Sequence, residues 1–231
     1  MANQAYDKDL ERAFAAAAAD ARLRRARDEG RGRIAETTEA QKELALIEAP
    51  TGHERARAER YRDMLAAAGL EDAAMDERFN VRGRIRGRGA TGKCVLLEGH
   101  LDTVFRFGDV KGIRVDEAGR IHCPGICDDT RALAANLAVV RAIRAAGLAP
   151  WHDIVVAGTV REEGLGGMQG MRWLLDGLQR ECEVLASISI DGAGGDVFYA
   201  NATGMVDYDV VYTGPGGHAW TAYGLPSALH A

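Results

Sequence analysis

The chain has 231 residues, 47% hydrophobic and 27% charged, which excludes a disordered chain and is enough to bury a core as one large domain or one domain plus part of another. Its 29 Lys and Arg against 34 Asp and Glu leave a net charge of −5. That balance provides no field that would gather nucleic acid or anionic lipid, so neither a nucleic-acid nor a membrane partner is expected.

Residues 7–28 are rich in Ala, Arg, Asp and Glu and predict a helix, broken by Gly30 and Gly32. The arginines from Arg22 to Arg33 interleave with Asp20, Asp28 and Glu29 at helical spacing, which reads as a solvated helix face. Ala13–Ala19 is the only apolar stretch near the start, too short for a membrane span and flanked by acids rather than the basic start of a secretory signal. A cytoplasmic protein is expected. A second helix should run from Ile34 to Glu48, stopped by Pro50 and Gly52, and a third from His53 to Gly69 with Tyr61, Met64, Leu65 and Ala68 on one stripe.

Asn80–Arg86 alternates Val81 and Ile85 with arginines and predicts a half-exposed strand near a sheet edge. Lys93–Glu98 is a buried strand, residues 112–121 a small hairpin, and Thr130–Ala146 a helix ended by Gly147 and Pro150. After a second buried strand come a turn at Gly164–Gly167, a helix at Met168–Leu178, a third buried strand and a further one at Val197–Ala200. From Thr203 the alternation of Val206, Tyr208, Val210 and Tyr212 with Asp207, Asp209 and Val211 predicts an antiparallel strand and a new domain. Cys94, Cys123, Cys127 and Cys182 are too few for a disulfide framework and read as packing residues in a reducing compartment.

Three apolar runs stop on candidate metal ligands: CVLLEGHLD at 94–102, DIVVAGTVREE at 153–163 and VLASISIDG at 184–192. Such runs predict strands buried on both faces, and in open α/β sheets ligands collect beyond the carboxyl ends of the strands. His100 and Asp102 share a face in an extended chain, so the carboxylate can stand behind the imidazole while its other nitrogen binds metal. Asp128 and Asp129 meet the start of a helix, where one can cap and the other point across the rim. Glu162 and Glu163 point opposite ways, one suited to metal and the other to general-base work. Asp191 either makes a turn before Gly192, Gly194 and Gly195 or joins the rim.

The segments EGHLDTV, GICDDT, REEG and SIDG, in this order, together with IEAPTGHE near residue 50 and GGHAWTAYGLPSA near the end, closely resemble the dinuclear zinc amidohydrolase and peptidase family. That family includes glutamate carboxypeptidase, acetylornithine deacetylase, succinyl-diaminopimelate desuccinylase and peptidase T. The resemblance implies a zinc-peptidase-like α/β fold, a mixed sheet flanked by helices, over residues 34–200. A helical extension at 1–33 would precede it, and the start of an α+β lid and dimerisation domain at 201–231 would follow. It implies that His100 binds one zinc, Asp102 orients that histidine, and Asp128 bridges both metals. It makes Glu162 the general base, Glu163 a ligand of the second zinc, Asp191 a ligand of the first, and His218 the lid histidine that reaches across a homodimer to the oxyanion. The implied function is hydrolysis of an amide bond in a small peptide or N-acyl amino acid, with zinc as cofactor and cobalt or manganese compatible with the same ligands.

Two departures stand out. Thr130 followed by Arg131 is similar to peptidase T-like members. Family members are also longer, and their last zinc ligand is a histidine from a returning carboxyl-terminal segment, so the expectation is a chain that stops inside the lid. An inactive fragment or non-catalytic binding homologue is the alternative. A metal-free peptide-binding rim is disfavoured, because acidic groups crowded together repel one another without a cation.

Overall fold

The computed structural model of the chain describes residues 8–192, 197–200, 204, 206 and 208–229. It divides into two units, Met1–Gly195 and Asp196–Ala231. The first opens with helices α1 (Lys8–Ala19), α2 (Ala21–Gly32), α3 (Ile34–Leu46) and α4 (Arg55–Ala67). The single helix expected over 7–28 is split at Asp20, whose side chain accepts the Arg22 N–H at 2.7 Å and so starts α2 as an N-cap. Gly30 and Gly32 stay helical; a methyl on Gly30 would lie 3.8 Å from the Ala142 methyl, so the small residue sits where α2 faces the later helix α5 (Thr130–Ala145).

The strands are β1 (Glu71–Met75), β2 (Val81–Ile85), β3 (Lys93–His100), the short hairpin pair β4 (Arg114–Val115) and β5 (Ile121–His122), β6 (Asp153–Thr159) and β7 (Glu183–Ser189), with α6 (Gln169–Glu181) between the last two. The main sheet has the order β1-β2-β6-β3-β7. β1 and β2 run antiparallel to their neighbours, whereas β6, β3 and β7 are mutually parallel, making a mixed α/β sheet.

β2 lies next to the edge, half-buried as expected, with alternate residues covered; the edge strand itself is β1, which the sequence pattern did not reveal. The arginines of β2 mimic a solvent face because they are ion-paired on the sheet: Arg84 lies 3.0 Å from Asp153 and 3.1 Å from Glu181, and Arg82 lies 2.6 Å from Glu181. In β1 a register shift between Glu71 and Ala74, with Asp72 at φ 55°, breaks the period-2 pattern that would have revealed a strand.

Alternation along the central strands divides two cores. On one face Leu44, Tyr61, Leu65, Leu133 and Leu137 pack with Val81, Leu101 and Val156; on the other Leu174 and Leu178 of α6 pack with Cys94, Leu96, Val155 and Ala157. Each such fully buried side chain stabilises the fold by roughly 1.5–3 kcal/mol relative to exposure.

The third apolar run corrects the expectation of burial on both faces. β7 is the other edge of the sheet, and Leu185 and Ile188 are 43% and 47% exposed. Apolar composition reads out what a strand is made of, whereas burial depends on neighbours, and among the described residues β7 has a paired strand on one side only. In the second unit the strands expected at Val197–Ala200 and around Tyr208–Tyr212 are irregular, with no ladder partner among the described residues to hold them extended. Gly194, Gly195 and Asp207 lie outside the described residues.

Candidate metal centre

Because β3, β6 and β7 are parallel, their carboxyl ends open on the same edge, where α/β sheets place ligands. His100 is the last residue of β3, Glu162 and Glu163 follow β6, Asp191 follows β7, and Asp128 precedes α5. Ligand atoms of His100, Glu162 and Glu163 all lie within 4.8 Å of one another, as do those of His100, Asp128 and Asp191. His100 is common to both groups: its Nε2 is 2.8 Å from Asp128 Oδ1 and 4.0 Å from a Glu162 carboxylate oxygen.

The other ring nitrogen faces Asp102, though not chiefly its carboxylate. His100 Nδ1 lies 3.0 Å from the Asp102 main-chain oxygen and 3.5 Å from Oδ1. A carbonyl only accepts, so Nδ1 carries the proton and Nε2 is left toward the rim. The fully buried Asp102 carboxylate has further work: Oδ1 accepts the Glu162 N–H at 3.0 Å, and Oδ2 accepts the Glu163 N–H at 3.1 Å and the Thr51 hydroxyl at 2.8 Å. One side chain thereby aligns the histidine end of β3 with both glutamates and the loop before α4.

Asp129, which the sequence offered only as one of an adjacent pair, buttresses the rim from behind. It precedes α5 but makes no side-chain cap; instead Oδ2 accepts the His100 N–H at 3.0 Å. Helix and strand approach this closely because residue 99 is glycine, where a methyl would sit 2.8 Å from Ala132 Cβ and 3.0 Å from Asp129 Oδ2. The expectation that one of the paired aspartates caps is therefore corrected: the adjacent Asp-Asp pair was the only signal, and it did not distinguish a cap from a strut. Arg131, at the same helix start, donates to the Gly192 carbonyl and ties α5 to the segment after β7.

The glutamate loop is pinned from several sides. Buried Glu54 accepts the N–H of Gly52 at 2.7 Å and of Arg161 at 3.1 Å, while Asn80 Oδ1 accepts the Val160 N–H at 3.1 Å and its amide donates to Gly170 O at 3.2 Å. Arg161 itself has φ 55°, a left-handed conformation that costs a non-glycine residue energy and is common at functional loops. A cavity of about 620 Å³ opens beside this loop, lined by Thr51, His53, Arg161 and Glu163 among others. A larger concavity of about 980 Å³ along α2 lies among ion-paired surface residues such as Arg33 and Glu36 and gathers no comparable constellation.

Electrostatically the rim asks for a cation. Burial pushes the Asp129 carboxyl up to about 8 and, with Asp191, Glu163 and Asp102 adding to it, the Glu162 carboxyl up to about 7. Glu163 is raised by burial and by Asp128. Burial alone would discharge His100, yet Asp102 with Asp129 and Glu162 outweighs it and raises the imidazole to about 10. Asp102 moves down despite burial, through His100 and the backbone N–H groups of Glu162 and Glu163. One imidazole and clustered carboxylate oxygens form a donor set that suits a borderline or hard divalent metal, so the residues fit such an ion.

His218 belongs to the second unit, where it is exposed and its Nδ1 accepts the Trp220 N–H at 3.2 Å. Cys127 lies near the rim, with Sγ 3.7 Å from Gly192 O. Among the described residues no helix is long and apolar enough to cross a membrane.

Comparison with known proteins bears on the same residues. Over 148 residues the chain is 30% identical to carboxypeptidase G2 of Pseudomonas sp. (strain RS-16), covering 62% of this chain and 34% of that one. It is 34% identical over 134 residues to the LysW-lysine hydrolase of Deinococcus radiodurans, covering 58% and 34%. The match thus spans about a third of the length of these relatives. In fold it is similar to a di-peptidase of Saccharomyces cerevisiae, with TM-score 0.58 at 20% identity over 73% of this chain and 41% of that one. The profile of peptidase family M20/M25/M40 matches residues 96–225, more than half of the chain and a span holding His100, Asp102, Asp128, Glu162, Glu163 and Asp191, so the chain belongs to peptidase family M20/M25/M40.

Proposed function

We propose that this chain supplies the metal-binding catalytic part of a hydrolase that cleaves the amide bond of a small peptide or N-acyl amino acid, with two zinc ions in the complete protein. The observation that carries the reading is the convergence of His100, Asp128, Glu162, Glu163 and Asp191 on one edge of the sheet. Two family relatives whose names denote a carboxypeptidase and a hydrolase support it. His100, Asp128 and Asp191 would hold one zinc, and Asp128 with Glu163 the other; cobalt or manganese would suit the same donors. Bound zinc supplies Lewis-acid polarisation of the scissile carbonyl and makes water acidic enough to attack near neutral pH.

The side chains do the rest. The Glu162 carboxylate takes a proton from the attacking water and returns it to the departing amine nitrogen, a role suited to a half-buried carboxylate at the mouth of the rim. Asp102 is a positioning residue: it holds the main-chain N–H groups of both glutamates, so the proton acceptor and its metal-binding neighbour keep a fixed spacing. His218 is proposed as the donor to the developing oxyanion, acting across a homodimer of the complete protein.

The alternative is a non-catalytic homologue that binds without cleaving. One observation favours it: among the described residues His100 is the sole histidine in either ligand group. Metal analysis of the purified protein, with assay of a panel of dipeptides and N-acyl amino acids before and after chelation, separates the readings. Bound zinc with chelator-sensitive hydrolysis is expected. Protein that takes up no zinc, cobalt or manganese sinks both the metal assignment and the activity, and metal uptake without hydrolysis of any substrate favours the binding homologue.

A further inference from the structure

Beside the rim lies a cation that the hydrolytic scheme leaves unused. Arg161 is exposed and lines the cavity of about 620 Å³ together with Thr51, Gly52, His53, Val104, Glu163 and Leu165. Its only side-chain hydrogen bond among the described residues is a long one, 3.4 Å, to the Gln169 amide oxygen. No carboxylate of the described residues lies within ion-pair distance of it, in contrast to Arg82 and Arg84, whose guanidinium groups are held by Glu181 and Asp153.

The backbone beneath this side chain is fixed while the guanidinium is left open. The Arg161 N–H donates to Glu54 at 3.1 Å, its carbonyl accepts the Gln169 N–H at 3.3 Å, and its φ of 55° is a strained choice for a side-chain-bearing residue. The guanidinium passes the Gly52 Cα, where a methyl would lie 3.7 Å from one of its nitrogens. Glu163 lines the same cavity and also belongs to the ligand group, so the cavity adjoins the reacting centre directly. Val104 and Leu165, 65% and 81% exposed, give it apolar walls.

Resting on the hydrolase reading above, we propose that Arg161 is a specificity-determining residue, and that this cavity is a subsite for a substrate carboxylate carried on a short aliphatic stem. A planar guanidinium matches a carboxylate with two parallel hydrogen bonds, and apolar walls suit the methylenes behind it. The surrounding acids sharpen the selectivity, since an anion approaching Glu162, Glu163 and Asp191 needs a fixed positive partner to stay. The carboxylate can be the side chain of an acidic residue or a free α-carboxylate, and the chemistry at Arg161 is the same for both.

Three probes of nearly equal shape separate these sources: N-acetylaspartate α-amide, which has only the side-chain carboxylate; N-acetylasparagine, which has only the α-carboxylate; and N-acetylasparagine amide, which has neither. Their affinities for wild type, Arg161→Gln and Arg161→Lys are measured by calorimetry, both zinc-loaded and after chelation. Wild type should bind one of the carboxylate probes about tenfold or more tighter than the neutral amide, as expected for a charge-assisted hydrogen-bonded pair. Arg161→Gln should abolish that ratio and Arg161→Lys restore part of it. A ratio near one in wild type, or a ratio unchanged in Arg161→Gln, overturns the proposal. Failure to bind zinc or to hydrolyse any amide counts against the hydrolase reading instead, because the Arg161 ratio is read from binding with or without metal.

Discussion

Asp102 holds Glu163 by its backbone: Oδ2 accepts the Glu163 N–H at 3.1 Å, while the side chain of Glu163 is left to face the rim. The strand end at β3 and the loop after β6 are therefore set relative to each other by one carboxylate, which among the described residues has the His100 imidazole within ion-pair distance. Replacing it with asparagine keeps the shape but turns one acceptor into a donor. That amide would face either the Glu162 N–H or the Thr51 hydroxyl and Glu163 N–H. Asp102→Asn should lower metal affinity about 10–100-fold and destabilise the fold by roughly 1–3 kcal/mol, checked by zinc calorimetry and denaturant unfolding.

Glu162→Gln is expected to separate binding from chemistry. Glutamine keeps the main-chain N–H that Asp102 holds and removes the proton acceptor. Zinc stoichiometry should be unchanged, whereas hydrolysis of a dipeptide panel should fall about 10²–10⁴-fold. Wild-type turnover in this variant would remove Glu162 from the role of base.

Metal uptake should release protons. In the metal-free protein His100 is raised to about 10, burial opposing the charge and Asp102, Asp129 and Glu162 prevailing. A raised imidazole stabilises the metal-free fold fully below the unfolded value of about 6.5 and loses that contribution as pH climbs through its folded value. Between these limits an incoming cation must displace the proton, so zinc affinity should rise with pH across that window. Calorimetry in two buffers of different ionisation enthalpy measures the proton count, and a count of zero at neutral pH contradicts this picture.

Gly170→Ala tests the loop from behind. A methyl there would press into the backbone O and N of Val160 and the amide oxygen of Asn80, two residues before the paired glutamates. Such overpacking should cost about 1–3 kcal/mol in thermal or denaturant unfolding. Metal affinity should fall with it, because the displaced backbone carries Glu162 and Glu163. Gly177→Ala, where a methyl would meet nothing within 4 Å in the interior of α6, is the matched control: it should leave metal affinity unchanged and raise stability by about 0.5–1 kcal/mol.

Much of the rim was legible because its residues sit at strand ends, where apolar runs stop abruptly. His100 and Asp102 stood out by their spacing of two on an extended chain. Asp129 did not, since its contact is with the main chain of His100, and nothing in the side-chain pattern records a backbone partner. β1 escaped because its bulge destroys alternation, whereas β2 kept its alternation and was legible as a strand near the edge, although its arginines are paired on the sheet rather than free in water. The exposure of β7 was illegible for a different reason: cover is a property of neighbours, which composition does not encode. Nothing in the sequence sets Arg161 apart; its backbone conformation and, among the described residues, its lack of a carboxylate within ion-pair distance mark it out.

Arg57 gives the architecture a final consequence. Fully buried in α4, it donates to the Ile47 carbonyl at 2.9 and 2.7 Å and to the Leu101 carbonyl at 2.7 Å, clasping the loop after α3 to the residue between His100 and Asp102. Detaching α4 would strand a buried guanidinium and two carbonyls at once, so that helix does not fray away from the strand end in small steps. Amide hydrogens of α4 and of the β3 terminus should then exchange with solvent at a common rate. The metal ligands would thus be lost together in one opening event, and partial denaturation would abolish metal binding in a single transition.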